Sequence, residues 1–554
     1  MNNKQKIRLF FLITITFAAM QLFSVWQQKN QPQITSVSEL ASENDHAHDL
    51  PAIVTKNLNK KTDHQGTSNN FVENKRQDRL VEIVTDTLML KVDKLGGDIV
   101  FTELTQYPES LEDKNHGFII LDESNERNFI AQSGLLNPLG PDSHKLGKAL
   151  FTCEQNNFKL AADEQTLTVD FKYATQSKVQ IIKRFIFTKG SYEVLVKYLV
   201  ENKGSSVYDA ALFARLKRQD NQEKSSFLNS TRNYVGAAVN TNTSKYKKLP
   251  FADMKKKNFD ESVHGGWISM VEHYFTTAWI PASEDVNTFK SESFGNDLYG
   301  VSFIGPNVEV LPGEHHVFNV KLFVGPEIAD LLTQAAPGLE LTIDYGFLWF
   351  FSQSIFWILR HINNVIHNWG FAIILTTVLI KALFYKLSAA SYRSMARMRN
   401  LQPKMELLKT RYGEDKQGYG KAIMDLYRQE KVNPLGGCLP IVIQIPVFIA
   451  LYYVLLESVE LRQAPFIFWI NDLSLKDPFY VLPVIMGFSM FIQQKLNPTP
   501  PDPVQAKVMM FMPVVFTFLF LSFPSGLVLY WVVNNLLSIA QQWMITRSID
   551  KNHA

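Results

Sequence analysis

The sequence predicts a multi-domain membrane protein with six transmembrane α-helices and a large extracytoplasmic β-sandwich. Three observations predict it. Polar sequence dominates residues 27–340 and apolar sequence dominates from there to about residue 545, so the near-neutral mean hydropathy averages two unlike halves. Short runs that alternate apolar and polar residues fill most of the polar half, the period-two pattern of strands. Five apolar stretches follow in the last third, and a sixth opens the chain. A length of 554 residues leaves room for several domains, each with its own core.

Residues 1–26 are expected to form an N-terminal transmembrane anchor. An apolar run of about 18 residues follows Lys4, Lys6 and Arg8, and no small-residue cleavage site follows Trp26. Neither cysteine lies just after this run, so it offers no site for a lipid-anchored cysteine. Residues 27–78 are rich in Asn, Gln, Ser, Thr, Lys and Asp with few large apolar residues to bury, the composition of a flexible linker. Residues 79–340 read as the β-domain. Its strand candidates include 81–93, 180–187, 192–200, 267–270, 301–303 and 317–323, with turn signals at Gly96-Gly97, Lys203-Gly204 and Pro312-Gly313. A dozen or more strands without long helical patterns imply a large sandwich.

Residues 341–366, rich in Trp and Phe but interrupted by polar positions, fit an amphipathic helix lying along the outer membrane surface; an extension of the next span is the alternative. Residues 367–547 form the main membrane core, with apolar stretches at about 369–387, 439–456, 479–492, 508–523 and 526–544. Pro524-Ser-Gly526 is expected to be a tight turn between the last two. Inside this core, residues 386–433 carry a strongly basic connection, including Lys386, Arg393, Arg397, Arg399, Lys404, Lys409 and Arg411. Residues 405–412 and 422–427 show helical spacing around Gly413, so a helical hairpin is expected there, with Pro403 and Pro434 as breakers at its ends. Residues 548–554 are a short tail.

Charge sets the orientation. The loop at 458–478 carries only Arg462 and Lys476, so the basic 386–433 segment is the cytoplasmic one. Counting helices from it puts both termini in the cytoplasm and the β-domain outside. Cys153 and Cys438 then fall on opposite sides of the membrane and are not expected to pair. A formal net charge of +3 gives no overall attraction to nucleic acid.

Most enzyme signatures are absent from the sequence: no phosphate loop, no HExxH pair, and a His315-His316 pair that reads as a surface turn beside Pro312-Gly313. Gly96-Gly97-Asp98 reads as a strand turn. The informative residue is Lys381, about two turns from the expected cytoplasmic end of its helix, where a buried lysine costs about 2.5–3.5 kcal/mol. Such a charge needs water or a partner; snorkelling to the headgroups is the bland alternative. Thr377 lies four residues earlier on the same face. In the last span Asn534, Asn535, Ser538, Gln541 and Gln542 recur at helical steps, and Gln444, Gln493 and Gln494 add amides on other spans. Together they fit a water-accessible cavity between helices, with interhelical hydrogen bonding as the alternative. No carboxylate within a span pairs obviously with Lys381. Met486, Met490, Met509, Met510 and Met512 cluster in adjacent spans, as core filling or as an adaptable surface for apolar sequences.

The segments Asn433-Pro-Leu-Gly-Gly-Cys-Leu-Pro440, Leu451-Tyr-Tyr453, Ser458-Val-Glu-Leu-Arg-Gln-Ala-Pro-Phe466, Phe511-Met-Pro513 and Phe523-Pro-Ser-Gly-Leu-Val-Leu-Tyr-Trp531 resemble the Gram-negative form of the YidC membrane protein insertases, in the YidC/Oxa/Alb family. In the outer domain Gly265-Gly-Trp-Ile-Ser-Met270, Tyr274-Phe-Thr-Thr-Ala-Trp-Ile-Pro281 and Val324-Gly-Pro-Glu327 carry the same likeness. The resemblance implies a periplasmic β-supersandwich and a five-helix insertase core in the inner membrane. It implies a client groove with Lys381 at its basic position and Thr377, Tyr530 and Trp531 at positions of client contact, with aromatic packing as the plain alternative for the last two; the polar stripe and span amides read above add Gln444, Asn534, Asn535 and Ser538 to the expected groove. Lysine stands where most members carry arginine, which keeps the charge and drops the planar two-pronged fork. No cofactor, nucleotide or covalent catalysis is implied. The implied partners are nascent inner-membrane proteins, the lipid bilayer, the Sec translocon with its accessory subunits, and ribosomes docking on the 386–433 hairpin. Two rival readings are a transporter, which would need a continuous polar path or paired repeats, and a sugar-processing enzyme tethered to the membrane, since mutarotases share the supersandwich fold.

Overall fold

The computed structural model describes residues 78–124, 127–138, 140–143, 147–221, 234–413, 415–430, 432, 439–497 and 503–553. The expected N-terminal anchor, nearly all of the linker, Pro434 and Cys438 lie outside the described residues.

Alternation in the sequence becomes alternation in burial. Along Val179–Thr188 the residues Val179, Ile181, Lys183, Phe185 and Phe187 point inward, while the residues between them are exposed or half-buried. Its neighbour Glu193–Asn202 buries Val194, Val196, Tyr198 and Val200 in the same way. Each apolar side chain so buried contributes about 1.5–3 kcal/mol, and a slip of one residue would turn the whole set to solvent. The described residues hold nineteen strands in two sheets, some alternating in this manner and some, such as Phe129–Leu136 and Phe275–Pro281, buried along their length. The ten-stranded sheet runs edge to edge through Asp260–His264, Val286–Gly295, Leu298–Val310, Tyr208–Gln219, Phe129–Leu136, Gly117–Asp122, Asp98–Pro108, Leu88–Asp93, Leu80–Val84 and Asn157–Lys159. The nine-stranded sheet runs through Lys247–Leu249, Gly236–Asn240, Trp267–Glu272, Phe275–Pro281, His315–Pro326, Glu193–Asn202, Val179–Thr188, Thr166–Ala174 and Thr152–Cys153. The large buried side chains Trp267, Trp279, Phe171, Phe185 and Tyr198 belong to one apolar core.

Two local expectations are corrected. The run at 81–93 is a hairpin, not one strand, because Thr85 folds the chain back. Its Oγ1 accepts from Leu88 N at 2.9 Å, a side-chain turn that needs neither glycine nor proline. His315 and His316 open the strand His315–Pro326 and pair with Glu201 and Val200, so they are ladder residues and not a turn. Gly96 and Gly97 do turn the chain, with φ of 80° and 64°. Gly97 also makes room for Lys183, since a Cβ there would lie 2.8 Å from the Lys183 stem.

The helical region begins with α1 (Ala329–Ala335) and α2 (Trp349–Ile366), followed by α3 (Trp369–Leu383) and α4 (Tyr385–Asn400). Then come α5 (Gln402–Tyr412), α6 (Lys416–Gln429), α7 (Leu439–Glu457), α8 (Val481–Leu496), α9 (Pro503–Phe520) and α10 (Ser525–His553). No single described helix is long and apolar enough to cross a membrane; α3 and α4 pass that test together but are bent by 69°. The apolar stretch expected at about 369–387 breaks after Leu383, and the described residues of the basic segment that follows hold a further helix, α4, before the expected two. Pro446 and Pro513 interrupt the hydrogen-bond ladders of α7 and α9. Many large apolar residues of these helices face outward, including Leu379, Phe488, Val515 and Phe518.

The hairpin of α5 and α6 closes on Leu401, Met405, Ile423, Tyr427 and Val432, and Lys404 pairs with Glu430 at 2.6 Å. Pro403 sits in the first turn of α5, where its missing N–H costs nothing, and Asp415 caps α6.

Sandwich and helices are fastened together through the loop after α7. Arg462 donates to the Glu109 carbonyl at 2.9 Å and lies over the Phe118 and Phe275 rings, and Gln463 donates to the Pro108 carbonyl at 3.0 Å. His273 meets the Leu456 carbonyl at 2.8 Å, and burial pushes its imidazole pKa down to about 4. Arg360 of α2 pairs with Asp330 of α1 at 2.8 Å.

Candidate functional site

Asn368 starts α3 by capping it, its side chain accepting from Phe371 N at 3.1 Å while its amide donates to the Phe466 carbonyl. Gly370 allows the close approach beneath, since a Cβ there would sit 2.0 Å from the Phe466 ring. This anchorage sets the rotation of α3, so that Thr376 and Thr377 face inward and Lys381 follows one turn later. Lys381 lies in the last turn of α3, immediately before the bend, closer to the helix end than the sequence suggested.

Around it is a partly open cavity of about 430 Å³, counting the space at its mouth. Its polar lining is Thr377, Lys381, Ser388, Gln444, Tyr530 and Asn534, and Ile380, Phe384 and Val447 complete the wall. The cavity is thus built from α3, α4, α7 and α10. Lys381 Nζ donates to Ser538 Oγ at 2.7 Å, and no carboxylate among the described residues acts on it. Thr377 spends its proton on the Ile373 carbonyl at 2.7 Å, leaving an oxygen lone pair as its free function. The Tyr530 hydroxyl faces the Gln444 amide. The arrangement offers one cation, an amide and hydroxyls in a half-enclosed space. Among the described residues no group of three or more His, Cys, Asp or Glu is placed to hold a metal ion.

Five of the eight sequence candidates, Lys381, Thr377, Gln444, Asn534 and Tyr530, line the cavity, and Ser538 touches it through Lys381. Asn535 turns away, donating to Ser489 on α8 at 3.0 Å. Trp531 packs among Phe448 and Phe520, with ring centroids at 4.8 and 5.3 Å. The stripe on α10 therefore divides: Gln541 reaches the Tyr385 carbonyl, while Gln542 joins the Leu496 carbonyl and the Asn497 side chain. Ser388 of α4 was missed. It lies seven residues after Lys381, a spacing visible in the sequence once α4 is read as a helix. Of the methionine cluster, Met486 is buried in the core, whereas Met510 and Met512 face outward from α9.

A model of the YidC periplasmic domain matches residues 80–358, and a model described as 60Kd inner membrane protein matches residues 361–552. Membrane protein insertase YidC of Pseudomonas putida is 51% identical over 472 residues, covering 85% of this chain and 84% of that protein. The Pseudomonas fluorescens protein of the same name is 50% identical, with the same coverage of each chain. A crystal structure of an active YidC insertase with its first transmembrane domain resolved covers 83% of this chain and 92% of its own, at 19% identity and a TM-score of 0.38. The class is thus a bacterial inner membrane protein carrying a periplasmic domain. The chain belongs to the YidC membrane protein insertase family.

Proposed function

We propose that the chain inserts client proteins into the inner membrane by drawing their short polar flanks into the Lys381 cavity and releasing their apolar helices sideways into lipid. The observation that carries this reading is a lysine facing an open cavity with no acidic partner acting on it among the described residues. A carboxylate or polar group from a client can supply what the chain withholds. About 20 apolar residues entering the bilayer offset the transfer of one or two polar groups over a shortened barrier. No nucleotide hydrolysis or covalent step is required.

In this reading residues 1–26 anchor the chain, 27–78 link, 79–340 form the periplasmic domain, 341–366 lie at the interface and 367–547 form the insertase core. Both termini are cytoplasmic. The basic, exposed face of the α5–α6 hairpin, with Lys409, Arg411, Lys421 and Arg428, suits a ribosome surface, and the Sec translocon with its accessory subunits is the expected membrane partner. The bend after Leu383 and the short apolar helices fit a thinned passage more readily than a sealed bundle.

The test is insertion of a small single-span client with an acidic flank, read by protease protection in cells depleted of their own insertase. The full chain should restore protection and the Lys381→Ala variant, at equal membrane level, should restore it several-fold less. Equal rescue by both would reject the cavity as the working site.

A further inference from the structure

Ser538 occupies an unusual position, because both ends of its hydrogen-bonding capacity are committed within the chain. Its hydroxyl donates to the Asn534 carbonyl one turn earlier on α10 at 2.7 Å, and its oxygen accepts from Lys381 Nζ at 2.7 Å. The side chain is 2% exposed. A hydroxyl has one proton and two lone pairs. With the proton held by Asn534, the serine has none to give to a client carboxylate and acts on the cavity only as an acceptor. Tyr392 of α4 approaches the same oxygen, so α3, α4 and α10 meet at this atom.

Lys381 needs such a fixture. Its flexible four-carbon stem lies in the last turn of α3, from which the ammonium could swing toward the membrane surface. One ammonium donor goes to Ser538, and two remain for the cavity. A client carboxylate can take these without displacing the serine.

We propose that Ser538 is a positioning residue that holds the Lys381 ammonium over the cavity and thereby sets its preference for clients with acidic flanks. This rests on the cavity reading above and adds to it how the charge is aimed. A guanidinium reaches an acceptor with a planar fork, whereas a lysine ammonium has no preferred plane, so aiming it falls to a neighbouring acceptor.

The test is a double-mutant cycle on the full-length membrane protein, with insertion measured for one client bearing an acidic flank and for its neutral-flank counterpart at matched protein levels. Ser538→Ala should lower insertion of the acidic client several-fold and leave the neutral client near wild type. Ser538→Thr, which keeps the hydroxyl, should retain most of the acidic preference. In the Lys381→Ala background Ser538→Ala should add no further loss. A purely packing role predicts instead equal losses for both clients and additive losses in the double variant, and either result would overturn the proposal. An impaired Lys381→Ala with an unimpaired Ser538→Ala rejects the positioning role alone. An unimpaired Lys381→Ala rejects the cavity reading itself.

Discussion

Lys381 and Glu327 are both ionisable side chains drawn away from bulk water, one in the helical core and one where the sandwich meets it, and the chain treats them in opposite ways. Glu327 follows the last strand of the sandwich and is 2% exposed; one carboxyl oxygen meets Thr342, and the other has no partner among the described residues. Burial raises its pKa well above the usual glutamate value, and the neighbouring Glu457 and Asp344 push it further, while Thr342 and Lys248 act the other way. Lys248 is itself engaged by Asp344. Burial inside this joint favours the neutral acid over the carboxylate. Lys381 instead borders an open cavity, fixed by a neutral serine. A sealed ionisable group gives up its charge, and a group beside a polar opening can keep it for a ligand.

The sharpest way to break this contrast is charge reversal. At an effective dielectric near 20, two charges 4 Å apart interact by about 4 kcal/mol before desolvation costs. Lys381→Glu should therefore lower insertion of an acidic client about tenfold or more, Lys381→Ala several-fold, and Lys381→Arg little, as read by protease protection. Were Lys381 as sealed as Glu327, all three variants would insert every client alike or fail to accumulate. A smaller loss is expected from removing residues 405–430. That deletion takes away the basic hairpin surface and leaves α3, α7, α8 and α10 in contact, so insertion should fall while membrane protein levels hold. Deleting residues 80–320 removes the Arg462 and His273 attachments but no cavity residue, and insertion should change least of all.

The joint has its own signature in pH. The folded chain holds the Glu327 proton more tightly than the unfolded chain does, so its contribution to stability is complete below the usual value of 4.5 and declines as pH rises from there toward the raised value. Glu327→Gln should match wild type in acid and melt higher at pH 8, by roughly 2–4 °C for each kcal/mol relieved. Thermal melts of the detergent-solubilised protein at both pH values measure this, and a parallel offset at the two would contradict it.

These two sites were unequally legible in the sequence. Lys381, Thr377, Gln444 and Asn534 stood out because polar residues are rare in apolar helices, and Tyr530 entered through the family resemblance. Asn534 and Asn535 looked equivalent, yet neighbours on a helix point about 100° apart, and only the packing against Ser489 shows which one leaves the cavity. Ser388 and Tyr392 were hidden behind the break after Leu383, which no glycine or proline announces. In the sandwich, strands such as Val179–Thr188 were plain from alternation, whereas the turn of the hairpin at Thr85 holds no glycine or proline, and only the shift of the inward set from Val81 and Ile83 to Leu88, Leu90 and Val92 marks it. Glu327 carried no signal. Its burial arises from contacts distant in sequence, including Thr342 and Glu457.

Charge capture by Lys381 is tested most directly by a swap on both sides of the contact. Insertion is measured for one client carrying an acidic flank and for the same client carrying lysine there, with wild-type and Lys381→Glu proteins at matched membrane levels. Charge capture predicts that wild type favours the acidic client and that Lys381→Glu reverses the preference. The same order of clients with both proteins would contradict it.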